Sequence, residues 1–120
     1  MIEKNLTFIE LAEKNRKRSD THYYNNILNV PVTKFGCFIA GETGELCNIL
    51  KKLERIEDGI AKFNKPGESE EQLIKAAADE IGDVAIYLDL IAQRLNLNLQ
   101  DCITNKFNYN SELIYSDIKL

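Results

Sequence analysis

The sequence contains no tryptophan, one histidine and two prolines, and its three cysteines form no paired motif. Cys37, Cys47 and Cys102 lie far apart, without the CxxC or Cys/His spacing of zinc sites and disulfide frameworks. We therefore expect them to be buried, reduced thiols. The single histidine, His22, lies in a polar stretch and is expected at the surface rather than in catalysis.

The chain also lacks an excess of positive charge and any long apolar run. Its net charge of -4 and sequence pI near 5.0 disfavour binding to nucleic acid or to anionic membranes. No apolar run approaches the roughly 20 residues of a membrane span. The first residues include Glu3, Lys4 and Glu10, where a signal peptide needs an apolar region. We expect no nucleic-acid partner, no membrane partner and a cytoplasmic location.

What the chain does contain is helical periodicity. Its 120 residues, 44% of them hydrophobic, fit one globular domain over residues 1–120. Apolar residues recur every three or four positions and no alternating strand pattern competes, which predicts an all-α fold. The predicted elements are a helix over residues 6–17, a polar loop over 19–29, a helix from Pro31 or Thr33 to about Glu57, a loop over 58–69, a helix to about Leu95, a fourth helix capped by Asn98, and a weakly patterned tail over 111–120.

The second predicted helix has an inward-facing apolar stripe that one carboxylate interrupts. A carboxylate at Glu42 is costly there unless it is paired or bound to metal. The members of the stripe are Phe35, Ile39, Glu42, Leu46, Ile49, Leu53 and Ile56.

The third predicted helix has an apolar stripe of the same kind, and further apolar residues flank it. Such a surface is wider than a small helical domain buries alone, so we expect a second subunit to cover part of it. The members of this stripe are Ile74, Ala77, Ile81, Val84, Leu88, Ile91 and Leu95.

Two acidic pairs lie on these helices, Glu42 with Glu45 and Glu80 with Asp83. Side chains three residues apart share one face of a helix. Paired acids on a helix often form nothing more than a solvated face. Here the apolar surroundings of Glu42 favour a meeting of four carboxylates from two helices, which only cations would hold together. An all-oxygen set favours Mg²⁺, or Mn²⁺, over zinc.

Three glycines lie within or beside the acidic pairs, in the interior of predicted helices. Gly41, Gly44 and Gly82 each cost a helix about 0.8–1.0 kcal/mol relative to alanine. Because glycine has no Cβ, we predict that these positions let the two helices approach closely enough to share ions.

Polar side chains extend from the first acidic pair along the second helix. Asn48 and Lys52 follow Glu45 by one and two turns on nearly one line, an arrangement that suits a metal-bound polyphosphate. For Lys51 and Lys52 the alternatives are solubility and a favourable interaction with the helix C-terminus. Tyr87 follows the second acidic pair by one turn and is expected to fill the core, with ligand contact as the alternative.

The two motifs Glu42-Thr43-Gly44-Glu45 and Glu80-Ile81-Gly82-Asp83 resemble the ExxE and ExxD signature of the MazG-like, all-α nucleoside triphosphate pyrophosphohydrolases. Further blocks are similar to the small phage and bacterial branch of that family and occur in the same order. Together they span roughly residues 33–112. The blocks are Ala40-Gly41-Glu42 through Asn48, Lys51 and Lys52, then Tyr87-Leu88-Asp89-Leu90, then Lys106-Phe107-Asn108, then Ser111-Glu112.

The resemblance implies a four-to-five-helix bundle that assembles as a homodimer or homotetramer. It implies Mg²⁺ bound by the four catalytic carboxylates, and hydrolysis of a nucleoside triphosphate to the monophosphate and pyrophosphate. A carboxylate not fully engaged by metal would accept a proton from water. The predicted substrate contacts are Asn48, Lys52, Lys106 and Asn108, with Lys51 as the runner-up to Lys52 and Tyr87 as a further position.

Three functions remain open on this resemblance. The first is a pyrophosphohydrolase of deoxynucleotides, with purines ranked slightly above pyrimidines. The second is a house-cleaning hydrolase of non-standard nucleotides. The third is a non-catalytic helical oligomer that binds nucleotide or metal, which the retention of all four acidic positions disfavours.

Overall fold

The computed structural model describes residues 4–120, and every regular element within them is helical. Four α-helices follow one another along this part of the chain, α1 (Phe8–Ser19), α2 (Val32–Glu57), α3 (Glu70–Arg94) and α4 (Leu99–Leu113). No strand occurs between residues 4 and 120, so the predicted all-α class is confirmed. None of the described helices has both the length and the apolar character that crossing a bilayer requires.

The predicted bounds of α2 and α3 and the predicted start of α4 agree closely with the structure, but α4 runs three residues into the predicted tail, to Leu113. The region between α1 and α2 also differs from the prediction. The prediction of a polar loop over residues 19–29 is wrong, because these residues form a π-helical turn (Asp20–Tyr24) and a 3-10 turn (Ile27–Asn29). The Asp20 carboxylate accepts hydrogen bonds from the Ile27 amide at 2.8 Å and from Arg16 Nε at 2.5 Å. Such bonds stabilise turns where the sequence has no helical period.

Polar side chains cap α3 and α4 at the helix starts that the sequence predicts. The Ser69 hydroxyl accepts a hydrogen bond from the Gln72 amide, and the Gln72 side chain accepts one from the Ser69 amide, each at 3.1 Å. This reciprocal pair satisfies two amides at the start of α3. The Asn98 side chain likewise accepts from the Asp101 amide and begins α4. The predicted starts of both helices are therefore confirmed.

The C-terminal ends of α2, α3 and α4 share one hydrogen-bond pattern, in which the chain reverses through a left-handed residue. Those residues are Gly59 (φ 74°), Asn96 (φ 58°) and Tyr115 (φ 56°). Beyond Tyr115, for example, the Ser116 amide donates to the Ser111 carbonyl at 2.9 Å. Glycine adopts this conformation without steric cost and asparagine at little cost, whereas tyrosine does so at a larger one.

The chain divides into two compact units, and the division lies within α3. The second unit is Thr33–Tyr87. The first unit comprises the described residues before Thr33 together with Leu88–Leu120. The prediction of one domain over residues 1–120 stays a prediction, and residues 1–3 lie outside the described part.

In the second unit, α2 and the adjoining part of α3 run antiparallel. The Phe38 and Tyr87 rings are 5.6 Å apart at their centroids, and Lys52 Nζ lies 3.0 Å from Glu68 Oε1. Phe38, early in α2, thus contacts a residue late in α3. Lys52, late in α2, contacts a residue just before α3, as antiparallel helices require. The buried apolar residues of this unit are Phe35, Leu73 and Ala77.

In the first unit, a buried carboxylate joins α1 to the end of α3. Asp89 Oδ2 accepts hydrogen bonds from Asn15 Nδ2 at 2.8 Å and from Gln93 Nε2 at 2.9 Å. Arg94 Nε donates to the Val30 carbonyl at 2.7 Å. The Arg94 bond fixes the segment before α2 against α3. The buried apolar residues of this unit are Ile27, Val30, Leu90 and Ala92.

The predicted stripe of α2 is confirmed, because Phe35 is buried and its other members, including Glu42, are half-buried. The predicted stripe of α3 is wrong in part. Ile74 and Ile81 are 54% and 57% exposed, and Leu88 and Leu95 are also exposed. The sequence contains two apolar stripes of the same period, and periodicity alone does not say which one faces the protein. The less exposed line consists of Leu73, Ala77, Glu80, Val84, Tyr87, Ile91 and Arg94.

Two further expectations are wrong. The three cysteines are free, as expected, but they are exposed rather than buried, because they lie on the outer faces of α2 and α4. The glycines beside the acidic pairs do not relieve a tight helix contact within this chain. A Cβ built at Gly41, Gly44 or Gly82 would meet no neighbouring atom within 4 Å. All three glycines lie on exposed faces, and longer side chains make the contacts between α2 and α3.

Candidate metal centre

Two carboxylates occupy matching positions on the facing surfaces of α2 and α3. Glu42 lies in the half-buried stripe of α2, between Ile39 and Leu46. Glu80 lies in the less exposed line of α3, one turn after the buried Ala77. The antiparallel arrangement of the two helices brings these carboxylates together within the second unit. Each stands where its helix otherwise places apolar side chains.

Glu42, Glu80 and Asp83 form a compact group of oxygen ligands. One carboxylate oxygen from each residue lies within 4.8 Å of the others. Glu42 and Glu80 are half-buried, whereas Asp83 is exposed, so the group is open to solvent on the Asp83 side. Among residues 4–120, no ion pair joins a lysine or an arginine to these three residues. No lysine or arginine of the described residues therefore offsets the acidity of this group.

Two oxygens of the group are buried without a hydrogen-bond partner, Glu42 Oε2 and Glu80 Oε2. A buried polar atom that lacks a partner loses its hydration without compensation, at a cost of about 1–3 kcal/mol. In native proteins such atoms are rare, and an ion or water that belongs at the site is one of the explanations for them. The residues thus fit a hard divalent cation, which takes carboxylate oxygens as ligands.

The close approach of Glu42 raises the pKa of Glu80 to about 7. The largest cause is hydrogen bonding between the two carboxyl groups, because a shared proton lets two acids meet without repulsion. Burial of the Glu80 carboxyl adds to the rise, and the charge of Glu45 adds further. Glu80 therefore takes up and releases its proton near neutral pH, and a bound cation would displace that proton.

Glu45 lies outside the group of three, although it belongs to the predicted set of four. Its side chain is exposed, yet its charge is close enough to Glu80 to raise the pKa of that residue. The structure thus brings Glu42, Glu80 and Asp83 together and leaves Glu45 beside them.

The predicted polyphosphate contacts of α2 differ in their surroundings. Asn48 and Lys51 are exposed, and Lys51 lines a shallow groove on the outer side of the helix. Lys52 is half-buried and forms an ion pair with Glu68. Tyr87 is half-buried and packs against the Phe38 ring, as expected of a core residue.

Lys106 and Asn108 belong to α4, in the first unit, and stay predictions as substrate contacts. Lys106 Nζ lies 4.7 Å from the centre of the Tyr109 ring. The Asn108 side chain donates to the Leu120 carbonyl at 3.2 Å and accepts from the Leu120 amide at 2.8 Å. The Leu120 backbone therefore occupies both the donor and the acceptor of the Asn108 side-chain amide. His22 is exposed, as expected.

The sequence pattern does not indicate Glu68, the ion-pair partner of Lys52. It lies 16 residues after its partner Lys52, beyond any helical spacing, and the loop around it has no periodic pattern. The one sequence signal for its position is that it directly precedes the Ser69 cap. A cap fixes the direction in which the chain enters a helix, and so the side to which the preceding residue points.

Comparisons of the chain with known protein families, with curated proteins and with solved structures gave no match.

Proposed function

We propose that this protein is a Mg²⁺-dependent nucleoside triphosphate pyrophosphohydrolase. Its substrates would be deoxynucleotides, purines slightly ahead of pyrimidines, and its products the monophosphate and pyrophosphate. The observation that carries the proposal is the group of Glu42, Glu80 and Asp83, with two buried oxygens that have no partner. The ordered sequence blocks that resemble the MazG-like family support the same function.

The carboxylates of the centre have separable roles in this proposal. Glu42, Glu80 and Asp83 would hold the metal. When bound, Mg²⁺ would neutralise the triphosphate and lower the pKa of a coordinated water. Glu45 lies beside the group rather than in it, so we expect its carboxylate to accept a proton from the attacking water. Asn48 and Lys52 would contact the phosphates along the same line of α2.

A homodimer or homotetramer of this family's helical-bundle type is part of the proposal. Its support is the exposed face of α3, where Ile74, Ala78, Ile81 and Ala85 are exposed at alternating spacings of four and three residues. This spacing is the one with which helices pack against each other in bundles. Contact with a second copy would remove the two isoleucines, each more than half exposed, from water. The cytoplasmic location stays a prediction.

The experiment is hydrolysis of a panel of NTPs and dNTPs, with pyrophosphate release followed in the presence of Mg²⁺ or Mn²⁺. The wild-type protein is expected to hydrolyse at least one of them, and Glu42→Gln and Glu80→Gln are expected to lose turnover. Glu54→Gln is the matched control, because it removes an exposed glutamate from the same helix and is expected to retain activity. Equal inertness of wild type and both site variants across the panel would show that the proposed function is wrong.

A further inference from the structure

The cation best placed to contact a polyphosphate is already bound by a carboxylate of the same chain. Lys52 Nζ donates to Glu68 Oε1 at 3.0 Å, and both side chains are about a quarter exposed. The second oxygen, Glu68 Oε2, is buried without a hydrogen-bond partner. The ion pair therefore rests on one bond and leaves half of the carboxylate unsatisfied, which weakens it relative to a fully satisfied pair.

Local structure holds Glu68 at this position. Gly67 turns the chain with a φ of 87°, and the Ser69 cap begins α3 on the other side of Glu68. The preceding loop is fastened to α2 as well, because the buried Asn64 side chain donates to the Lys52 carbonyl at 2.9 Å. The carboxylate is thus fixed opposite Lys52, and the lysine, with its long aliphatic stem, is the partner that can move.

Helix geometry allows Lys52 to exchange partners. Lys52 follows Glu45 by two turns, so their Cα atoms are about 10 Å apart along the axis. Side chains lean towards the N-terminus of a helix, which directs a released Lys52 back along the line of Asn48 and Glu45. A polyphosphate that runs from the carboxylate group along this line carries several negative charges, whereas Glu68 carries one.

We propose that Glu68 is a positioning residue that competes with the polyphosphate for Lys52. It holds the lysine when the site is free of ligand and takes it back as pyrophosphate leaves. This inference rests on the proposed function, in which Lys52 contacts the phosphates. By competing, Glu68 lowers the affinity for both triphosphate and pyrophosphate, so that product leaves faster.

The test measures equilibrium binding of inorganic tripolyphosphate and pyrophosphate by calorimetry, in excess Mg²⁺. Glu68→Gln is expected to tighten binding of both roughly three- to fivefold, the range of a partly exposed ion pair. Glu71→Gln is the matched control, because it changes the net charge equally at an exposed position in the first turn of α3. In a Lys52→Gln background the Glu68→Gln effect is expected to disappear.

Several outcomes would overturn the inference. These are weaker binding by Glu68→Gln, a change no larger than that of Glu71→Gln, or a change that persists without Lys52. If Glu68→Gln does not fold, Glu68→Asp moves the carboxylate away by one methylene and should give a smaller gain. The assay needs no turnover, so its result is separable from the proposed function. In an active enzyme, Glu68→Gln should also lower KM and make pyrophosphate a stronger inhibitor.

Discussion

The most informative stability experiment replaces one carboxylate of the centre by its amide, Glu42→Gln. In the metal-free protein Glu42 Oε2 is buried without a partner and faces a second carboxylate, that of Glu80. Glutamine keeps the shape of the side chain, removes its charge, and offers an N–H group to Glu80. We expect the metal-free protein to gain stability while it loses metal binding.

The magnitude follows from the unsatisfied oxygen and depends on pH. Relief of one buried unpartnered acceptor contributes about 1–3 kcal/mol. For a chain of this size that is a rise in Tm of about 4–12 °C. The gain is expected in full at pH 8, above the raised pKa of Glu80, where the Glu80 carboxyl group has lost its proton. At pH 5 Glu80 holds a proton that it shares with Glu42, so the gain should be close to zero.

The assay is thermal or urea unfolding of wild type and Glu42→Gln at pH 5 and pH 8, in chelator and again with Mg²⁺. Glu54→Gln removes an exposed charge from the same helix and should change Tm little at either pH. Mg²⁺ should stabilise the wild type and the control but not Glu42→Gln. A large loss of stability in metal-free Glu42→Gln at pH 8 would contradict this prediction, since it would mean that the carboxylate supports the fold.

Three further predictions concern stability in chelator. Tyr115→Gly should stabilise the protein by about 1 kcal/mol, because glycine adopts the left-handed conformation at the end of α4 without the steric cost of a Cβ. An unchanged or lower urea midpoint would contradict this prediction. Ser69→Ala should destabilise it by about 1 kcal/mol through loss of the α3 cap, which a normal midpoint would disprove. The folded protein binds the Glu80 proton up to about pH 7, whereas the unfolded chain releases it near its ordinary value of 4.5. Stability from this group is therefore complete below pH 4.5 and is lost as the pH rises through 7, and the decline of Tm should be shallower in Glu80→Gln than in wild type.

Much of the fold could be predicted from the sequence because its signals are local. Ser69 and Asn98 are strong caps, and the α2 stripe has one apolar line with one carboxylate in it. The region before α2 could not be predicted, because its turns depend on the Asp20 carboxylate reaching Ile27, seven residues away. The sequence also could not show which face of α3 is buried. Two lines of side chains along that helix have the same period, and contacts with the rest of the protein select between them.

The candidate site was predictable in three of its four proposed acidic members but not in its details. The spacing of the two pairs indicates which carboxylates share a face, and Glu42, Glu80 and Asp83 do meet. That Glu45 lies beside the group depends on the rotation of α2 relative to α3, which the spacing does not determine. The pairing of Lys52 with Glu68 depends on a loop without periodicity. Residues brought together by loops are those that a single sequence reveals least.

The proposed reaction is cleavage of a nucleoside triphosphate between its α and β phosphates at the carboxylate group. Phosphorus NMR of a dNTP incubated with the wild-type protein and Mg²⁺ tests it most directly, because the products are identified by their own resonances. We predict equal amounts of monophosphate and pyrophosphate, with no reaction for Glu80→Gln. Formation of diphosphate and orthophosphate, or an unchanged spectrum for every dNTP and NTP, would contradict this proposal.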